Sequence, residues 1–503
     1  MYFNAKEGYG CTATAKAHSR IGEKLAALIP KCPKTSLVAS SIDATINIDT
    51  STKYQKIDGF GFFGARDTWW GKPEGLYSDK WADQVLDDLG ITIWRNEYYP
   101  TTPGDGSQDA DWNKQRPVVE GLAKKARDKG IDLKIILTVW SPPASMKCTI
   151  SADGIVNNYQ PWGQGTKNGG ALCTNKYNEF AQWLIDGIKM YKDIGVDVYA
   201  ISPQNEPLAA VPYNSCVYTA ALYRDMLQAI GPKLKAAYPK IKIFGDEYLL
   251  PFEGGENRGW SVNHAIATSP EALKNLDMFA IHLYDVPSAA SAQVQLWSNS
   301  KTDYIDNTGR SLWMTETSQF VDSWQADGNF AAFDLAIAMH NALVSGHVSA
   351  WIWWQGSELS GVSQYNLMQG TEQRSKRYYV SKNFFRYIRP GAQMVGVQAD
   401  EGSGILASAY LHQGQGTLTT VLINTSAQGK NIQLNGANVP DKLELYQTTA
   451  DDNCMDKGKV SRNSVFIPAK SVVTLVGQTA PSNSGSSPTT SRVRKAFLLG
   501  KRY

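Results

Sequence analysis

Eight short β-rich runs alternate with helix-sized amphipathic stretches from about Thr45 onward, and this alternation limits the possible folds more than any other feature. The candidate strands are Lys56 to Phe60, Thr92 to Asn96, Leu133 to Val139, Val198 to Ser202, Lys242 to Gly245, Met278 to His282, Leu312 to Thr315 and Ala350 to Trp353. Between them, stretches such as Asp79 to Leu89, Val118 to Lys129, Asn178 to Ile194, Ala220 to Ala237 and Phe330 to Val344 repeat apolar residues at three- and four-residue steps. Eight strands, each followed by a helix-sized segment, match the count of an α/β (β/α)8 TIM barrel. A doubly wound open sheet competes, but no glycine-rich phosphate fingerprint follows the first strand.

After Pro390 the pattern changes. Short alternating runs at Gly404 to Leu411, Gly416 to Asn424, Lys442 to Gln447, Ser464 to Ile467 and Ser471 to Val476, broken by Gly, Asn and Pro, predict a small antiparallel β-sandwich. Ala44 to Ile48 alternates in the same way ahead of the barrel and would pair into that sandwich. The expected organisation is a segment 1–40 of unclear role, sandwich strand material at 41–54, a catalytic barrel at 55–390 and a side β-sandwich at 391–478. A Ser/Pro/Thr-rich linker at 479–491 and a basic tail at 492–503 follow. At 503 residues the chain can bury a full barrel core and a smaller partner.

Charge excludes one large class of function. The 50 Lys and Arg are nearly balanced by 47 Asp and Glu and are scattered until the last dozen positions, so no nucleic-acid footprint is expected. No apolar run reaches 18 residues, so no membrane span is expected. The apolar stretch Leu25 to Ile29 is too short for the core of a signal peptide. The 15 Trp and 24 Tyr supply flat apolar faces with polar tips, which suit sugar rings as well as a core. None of the six cysteines shows metal-ligand spacing, and the six histidines form no HxH or HExxH cluster, so neither a metal nor another cofactor is expected. Cys148 and Cys173 bracket a Gly- and Asn-rich loop that a disulfide would restrain in an oxidising compartment; Cys11, Cys32, Cys216 and Cys454 could equally be buried thiols.

Two glutamates carry the chemistry. In a (β/α)8 barrel the active site lies at the C-terminal ends of the strands. Glu206 follows the fourth strand, and Glu316 ends the seventh, roughly across the mouth. Opposed carboxyls are what glycoside cleavage needs: one protonates the leaving oxygen while the other attacks the anomeric carbon, or activates water if the gap is wide. Glu97, Asp246 and Glu247 also follow strands, but none stands in the paired context, and they read as substrate contacts or structural partners. His282 ends the sixth strand as a possible ligand or base. No GxSxG elbow or phosphate-binding loop is present.

The ordered motifs resemble glycoside hydrolase family 30, a family of retaining glycosidases, over about residues 41 to 477. They are Ile57 to Gly61 (IDGFG), Trp94 to Pro100 (WRNEYYP), Trp140 to Pro143 (WSPP), Ile201 to Pro207 (ISPQNEP), His282 to Tyr284 (HLY), Trp313 to Glu316 (WMTE) and Trp351 to Trp354 (WIWW). The resemblance implies a barrel joined to a side sandwich built from both chain ends. It also implies Glu206 as acid/base, Glu316 as nucleophile, and Asn205 as donor to the 2-hydroxyl of the sugar at the cleaved bond. Arg95 and Tyr284 would hold Glu316 ionised, and Trp140, Trp354 and one of Trp69 or Trp70 would form apolar walls.

The family resemblance is greatest to its bacterial xylanases, which implies an endo-β-1,4-xylanase acting on xylan; a monomer is expected, and the polymeric substrate points to a location outside the cell or on its surface. A β-1,6-glucanase or exo-acting β-glycosidase is the alternative within the family, and a catalytically silent carbohydrate-binding surface protein the alternative outside it. Glucuronoxylan-specific members grip the glucuronate with an Arg four residues after the second Trp of the Trp-Trp pair. Here that count from Trp354 falls on Glu358, with Arg374 and Arg377 next downstream. A carboxylate would repel the glucuronate, so dependence on that substituent is not expected.

Overall fold

The computed structural model describes residues 41–64, 77–99, 112–249, 258–284, 290–318, 332–358, 365–369 and 373–479. Residues 1–40, Trp69, Trp70, Cys11, Cys32, most of the expected linker and the basic tail lie outside them. By contacts the chain divides into Met1–Ile42 and Asp43–Tyr503; the architecture below belongs to the second unit.

Runs that are apolar on both faces need cover on both faces, and they obtain it as parallel strands between a packed interior and a ring of helices. The eight barrel strands are Gly59–Phe63, Ile93–Tyr98, Lys134–Val139, Val198–Ser202, Lys242–Leu249, Met278–His282, Ser311–Glu316 and Ala350–Trp353. They pair in parallel and in sequence order, and the eighth closes on the first through Ala350 opposite Gly59 to Trp353 opposite Phe62. Inside, Ile93, Ile136, Ala200, Phe244, Met278, Ala280, Trp313, Ala350 and Ile352 fill the barrel. Helices Trp112–Asp128, Tyr177–Asp193, Ala220–Ala237 and Phe333–Val344 contribute to the larger core outside it. The predicted helix at 79–89 begins with Ser78 accepting from Trp81 N, but widens to a π-helical turn over Gln84–Leu89, ended by left-handed Gly90.

The first barrel strand starts three residues later than the periodicity predicts, at Gly59. Lys56 still pairs with Gln393 as the last residue of a thirteen-residue strand, Ala44–Lys56, that belongs to the side sheet. Between the two strands, Asp58 accepts from Trp313 Nε1 at 2.9 Å and Ser349 Oγ at 2.8 Å, anchoring the entry to the barrel.

The side sheet has nine strands in the order Met455–Ser461, Lys442–Thr448, Ser471–Gln478, Thr417–Asn424, Ile405–His412, Gln393–Ala399, Ala44–Lys56, Lys430–Asn435 and Val465–Ile467. All pairs are antiparallel except one: Ala44 to Asn47 runs parallel to Ile432 to Asn435. Strands at Gln393, Lys430 and Met455 are additional to those the alternation marks. The last described helix, Lys376–Phe385, ties sheet to barrel, with Asn383 donating to Thr474 Oγ1 at 3.0 Å and Lys376 Nζ reaching the carbonyls of Thr449 and Ala450 at 3.0 and 2.8 Å. Among the described residues no helix is long and apolar enough to cross a membrane.

Candidate active site

Strict alternation along the second strand sends Ile93 and Arg95 into the barrel. Two other strands reach the site by breaking alternation. Opposite Ile281 and His282 of the sixth strand lie Met314 and then Glu316, so Thr315 is an extra residue and Glu316 turns toward the mouth. On its other side, Ala280 and Ile281 face Asp246 and then Tyr248, which makes Glu247 the extra residue, held at φ 58°. Asp246 points outward, accepting from Asn263 Nδ2 at 2.8 Å, while Glu247 points in.

Glu206 sits in the loop after the fourth strand with φ 42°, a left-handed conformation that costs a non-glycine residue energy. The neighbouring backbone holds it there: Glu206 N donates to Glu247 O at 3.1 Å, and Asn205 N donates to Val139 O at 2.6 Å. Gln204 Nε2 adds bonds to Trp140 O at 2.7 Å and Asn205 O at 2.8 Å.

Arg95 is the centre of the charge network. Its Nη1 donates to Glu316 Oε2 at 2.6 Å, Nη2 donates to Asn205 Oδ1 at 2.8 Å and lies 3.0 Å from Glu247 Oε1, and Nε donates to Thr138 Oγ1 at 3.2 Å. Tyr284 Oη donates to the other Glu316 oxygen at 2.9 Å. Burial and the adjacent Glu316 charge push the Tyr284 phenol far above its ordinary range, so it remains a donor. His282 stands between the carboxylates, with Nδ1 3.0 Å from Glu206 Oε1 and Nε2 3.8 Å from Glu316 Oε2. Burial favours neutral imidazole, but Glu316, Glu206 and Glu247 outweigh it and raise His282 to about 9. For Glu247, burial opposes ionisation, yet Arg95 and then His282 hold its carboxyl below the usual range.

One donor atom each from Glu206, His282 and Glu316 lies within 4.8 Å of the others, a spacing that a metal ion could bridge. The Arg95 guanidinium competes with such an ion, since its Nη1 already donates to Glu316 Oε2 at 2.6 Å.

An aromatic wall adjoins the network. Trp354 stacks on Phe63 with ring centres 4.3 Å apart, Phe63 meets Trp140 at 5.2 Å, and the Arg95 guanidinium lies 4.9 Å from the Trp140 ring. The structure thus gathers Glu206, Glu316, Asn205, Arg95, Tyr284, Trp140 and Trp354. The backbone of Glu358 pairs with Gln369 in a short strand, Ser357–Glu358, and its side chain is outside the described atoms. Phe63 and the linking role of Glu247 escaped the sequence reading, because Phe63 lies beyond the expected strand end and Glu247 depends on the register slip.

The 8-stranded barrel and the paired carboxylates at its mouth define the class of (β/α)8 glycoside hydrolases. The sequence model of the glycosyl hydrolase family 30 TIM-barrel domain matches residues 108–362, and the chain belongs to that family. Glucuronoxylanase XynC of Bacillus subtilis (strain 168) is 27% identical over 452 residues, covering 88% of this chain and 94% of the relative. Endo-1,6-beta-D-glucanase neg1 of Aspergillus fumigatus is 25% identical over 316 residues, 58% of this chain and 59% of its own. Among solved structures, a GH30 endoxylanase from Clostridium papyrosolvens C71 superposes with a TM-score of 0.66 at 24% identity, covering 86% of this chain and all of that one.

Proposed function

We propose that the protein is a retaining endo-β-1,4-xylanase in which Glu206 is the general acid/base and Glu316 the nucleophile. The observation that carries this reading is the approach of a Glu206 oxygen to within 4.8 Å of a Glu316 oxygen. Double displacement uses carboxyls about 5 to 5.5 Å apart, whereas a gap of about 6.5 to 9.5 Å leaves room for the water of inversion. Glu206 gives its proton to the leaving oxygen as Glu316 attacks the anomeric carbon and forms a glycosyl ester. Glu206 then takes a proton from water, which displaces Glu316. Arg95 and Tyr284 stabilise the Glu316 carboxylate before attack and as it leaves, and His282 steadies the anion that Glu206 becomes. With its Oδ1 bonded to Arg95, the Asn205 amide nitrogen is the end that donates to the sugar 2-hydroxyl.

The xylan preference is supported by the named activities of the bacterial relative and the Clostridium structure. Independence from glucuronate is supported by where the downstream arginines are used. Arg374 lies 3.6 Å from Asp88 and donates to Gln84 at 3.1 Å, while Arg377 is buried over the Trp353 ring and donates to Asn366 O at 3.3 Å. An extracellular location is part of the same proposal; the Cys148–Cys173 disulfide supports it, because thiols in reducing compartments stay free.

The test is digestion of linear xylohexaose, glucuronoxylan and a β-1,6-glucan with purified protein, following rate and product mass, with Glu316→Ala as control. Comparable rates on the first two, with retention of the β-anomer seen by proton NMR, are expected. Preference for the β-1,6-glucan would move the substrate to the neg1-like alternative. Release from no polysaccharide, with binding retained and Glu316→Ala indistinguishable from wild type, would leave only a binding role.

A further inference from the structure

Three consecutive residues after the fourth strand, Gln204, Asn205 and Glu206, bridge the strands on either side of it. Toward the third strand, Asn205 N donates to Val139 O at 2.6 Å and Gln204 Nε2 donates to Trp140 O at 2.7 Å. Toward the fifth, Glu206 N donates to Glu247 O at 3.1 Å.

Gln204 Nε2 makes a second bond, to Asn205 O at 2.8 Å. That carbonyl and the Glu206 N–H are the two polar ends of one rigid peptide plane. Gln204 therefore fixes one end of the plane, and the fifth strand fixes the other. Gln204 is wholly buried and Asn205 only 6% exposed, so solvent is poorly placed to take over the bond to this carbonyl.

The plane is held against strain. Glu206 has φ 42°, a conformation that persists in a non-glycine residue only where its surroundings impose it. A half-turn of the plane would exchange its carbonyl and its N–H and carry φ of Glu206 from positive to negative, the region an L residue prefers. The two bonds oppose that turn, because it would set each polar end against the other's partner. Without the Gln204 amide, only the Glu247 carbonyl still opposes it.

Resting on the retaining reading above, we propose that Gln204 is a positioning residue for proton transfer. Its amide latches the Asn205–Glu206 peptide in the orientation that keeps Glu206 Oε1 3.0 Å from His282 Nδ1 and at the leaving oxygen. Loss of the latch lets Glu206 relax and swings its carboxyl away. The nucleophile is spared: Glu316, Arg95 and Tyr284 stand on other strands, and Asn205 keeps its own N–H on Val139 O. Gln204 thus acts on the acid/base half of the reaction and not on the attack.

The experiment compares kcat/KM on xylohexaose, whose leaving sugar needs a proton, with kcat/KM on β-xylobiosyl fluoride, whose fluoride departs with little proton help. Their ratio counts active molecules only, so a variant that folds in low yield still reports. Gln204→Met, which keeps the length and loses the donor, should lower the ratio by roughly 10- to 100-fold, the cost of misplacing a catalytic group by up to about 1 Å. Gln204→Leu should do the same. In Glu206→Gln no acid remains to be placed, so adding Gln204→Met there should change the ratio by no more than about twofold. An unchanged ratio in Gln204→Met, or a fall as large in the Glu206→Gln background as in the wild type, would overturn the latch. If the wild type cleaves neither xylose substrate, the xylan reading fails, and gentiohexaose with β-gentiobiosyl fluoride applies the same comparison to the latch. A wild type inert on both pairs removes the latch together with the catalytic reading.

Discussion

Arg95 Nη1 donates to Glu316 Oε2 at 2.6 Å, with the arginine side chain fully buried and the glutamate 8% exposed. The same guanidinium also lies 3.0 Å from Glu247, which is wholly buried. One cation therefore serves two carboxylates, one of them at the barrel mouth and the other wholly buried.

Removing that cation should cost stability as well as activity. Arg95→Met removes the nearer of two cationic partners from the buried Glu247 carboxylate and leaves it only His282, at 3.9 Å; breaking a buried pair in this way should cost about 3 to 5 kcal/mol in urea unfolding. Arg95→Met/Glu247→Gln should recover much of the stability and none of the activity. If the double variant is no more stable than the single one, the pairing of Arg95 with Glu247 is not what stabilises the fold here.

Glu206 and Glu316 should separate in their leaving-group dependence. Glu206→Gln is expected to slow xylan cleavage by a factor on the order of 10² to 10⁴, yet still form the glycosyl intermediate from substrates with good leaving groups. Glu316→Gln should fail on both. Azide should rescue Glu206→Ala to a β-glycosyl azide and Glu316→Ala to an α-glycosyl azide; the reverse pattern would exchange the roles.

Asp246 should give the fold a pH dependence. Burial raises its carboxyl from 3.8 to about 7. The folded state then holds the proton more tightly than the unfolded chain, so this contribution is fully present below pH 3.8 and is lost as pH rises through about 7. Asp246→Asn cannot ionise, and its stability profile between about pH 4 and 8 should be flatter than that of wild type. At the alkaline end it should exceed wild type by a few kcal/mol, because each tenfold difference in proton affinity between folded and unfolded chain corresponds to about 1.36 kcal/mol. Parallel profiles would show that Asp246 does not titrate in that range.

The disulfide joins residues 25 apart in sequence and closes the extension that is hydrogen-bonded to the loop carrying Glu206. Replacing both Cys148 and Cys173 by Ala should cost about 3 to 4 kcal/mol by loop-closure entropy. Calorimetry with and without reductant measures this; a wild type whose unfolding midpoint is unchanged by full reduction would contradict it.

The sequence by itself determined the frame. Eight apolar runs spaced by helical stretches called for a parallel sheet covered on both faces, and their count matched a closed barrel rather than the competing doubly wound sheet. Val198–Ser202, Met278–His282 and Ala350–Trp353 begin and end where the pattern says. The motifs around Glu206 and Glu316 marked the candidate pair. What only the tertiary structure decided is which side chains turn inward where alternation fails. Read at a period of two, the seventh strand would send Thr315 into the barrel and Glu316 out. On the fifth strand the same reading would send Asp246 in and Glu247 out. Each strand carries one extra residue against the sixth, and in the folded chain Glu316 and Glu247 both meet Arg95 while Asp246 turns away to Asn263. A slip of this kind arises from the register of a strand against its neighbours, contacts between residues dozens of positions apart, and so leaves no mark in the local pattern of either strand.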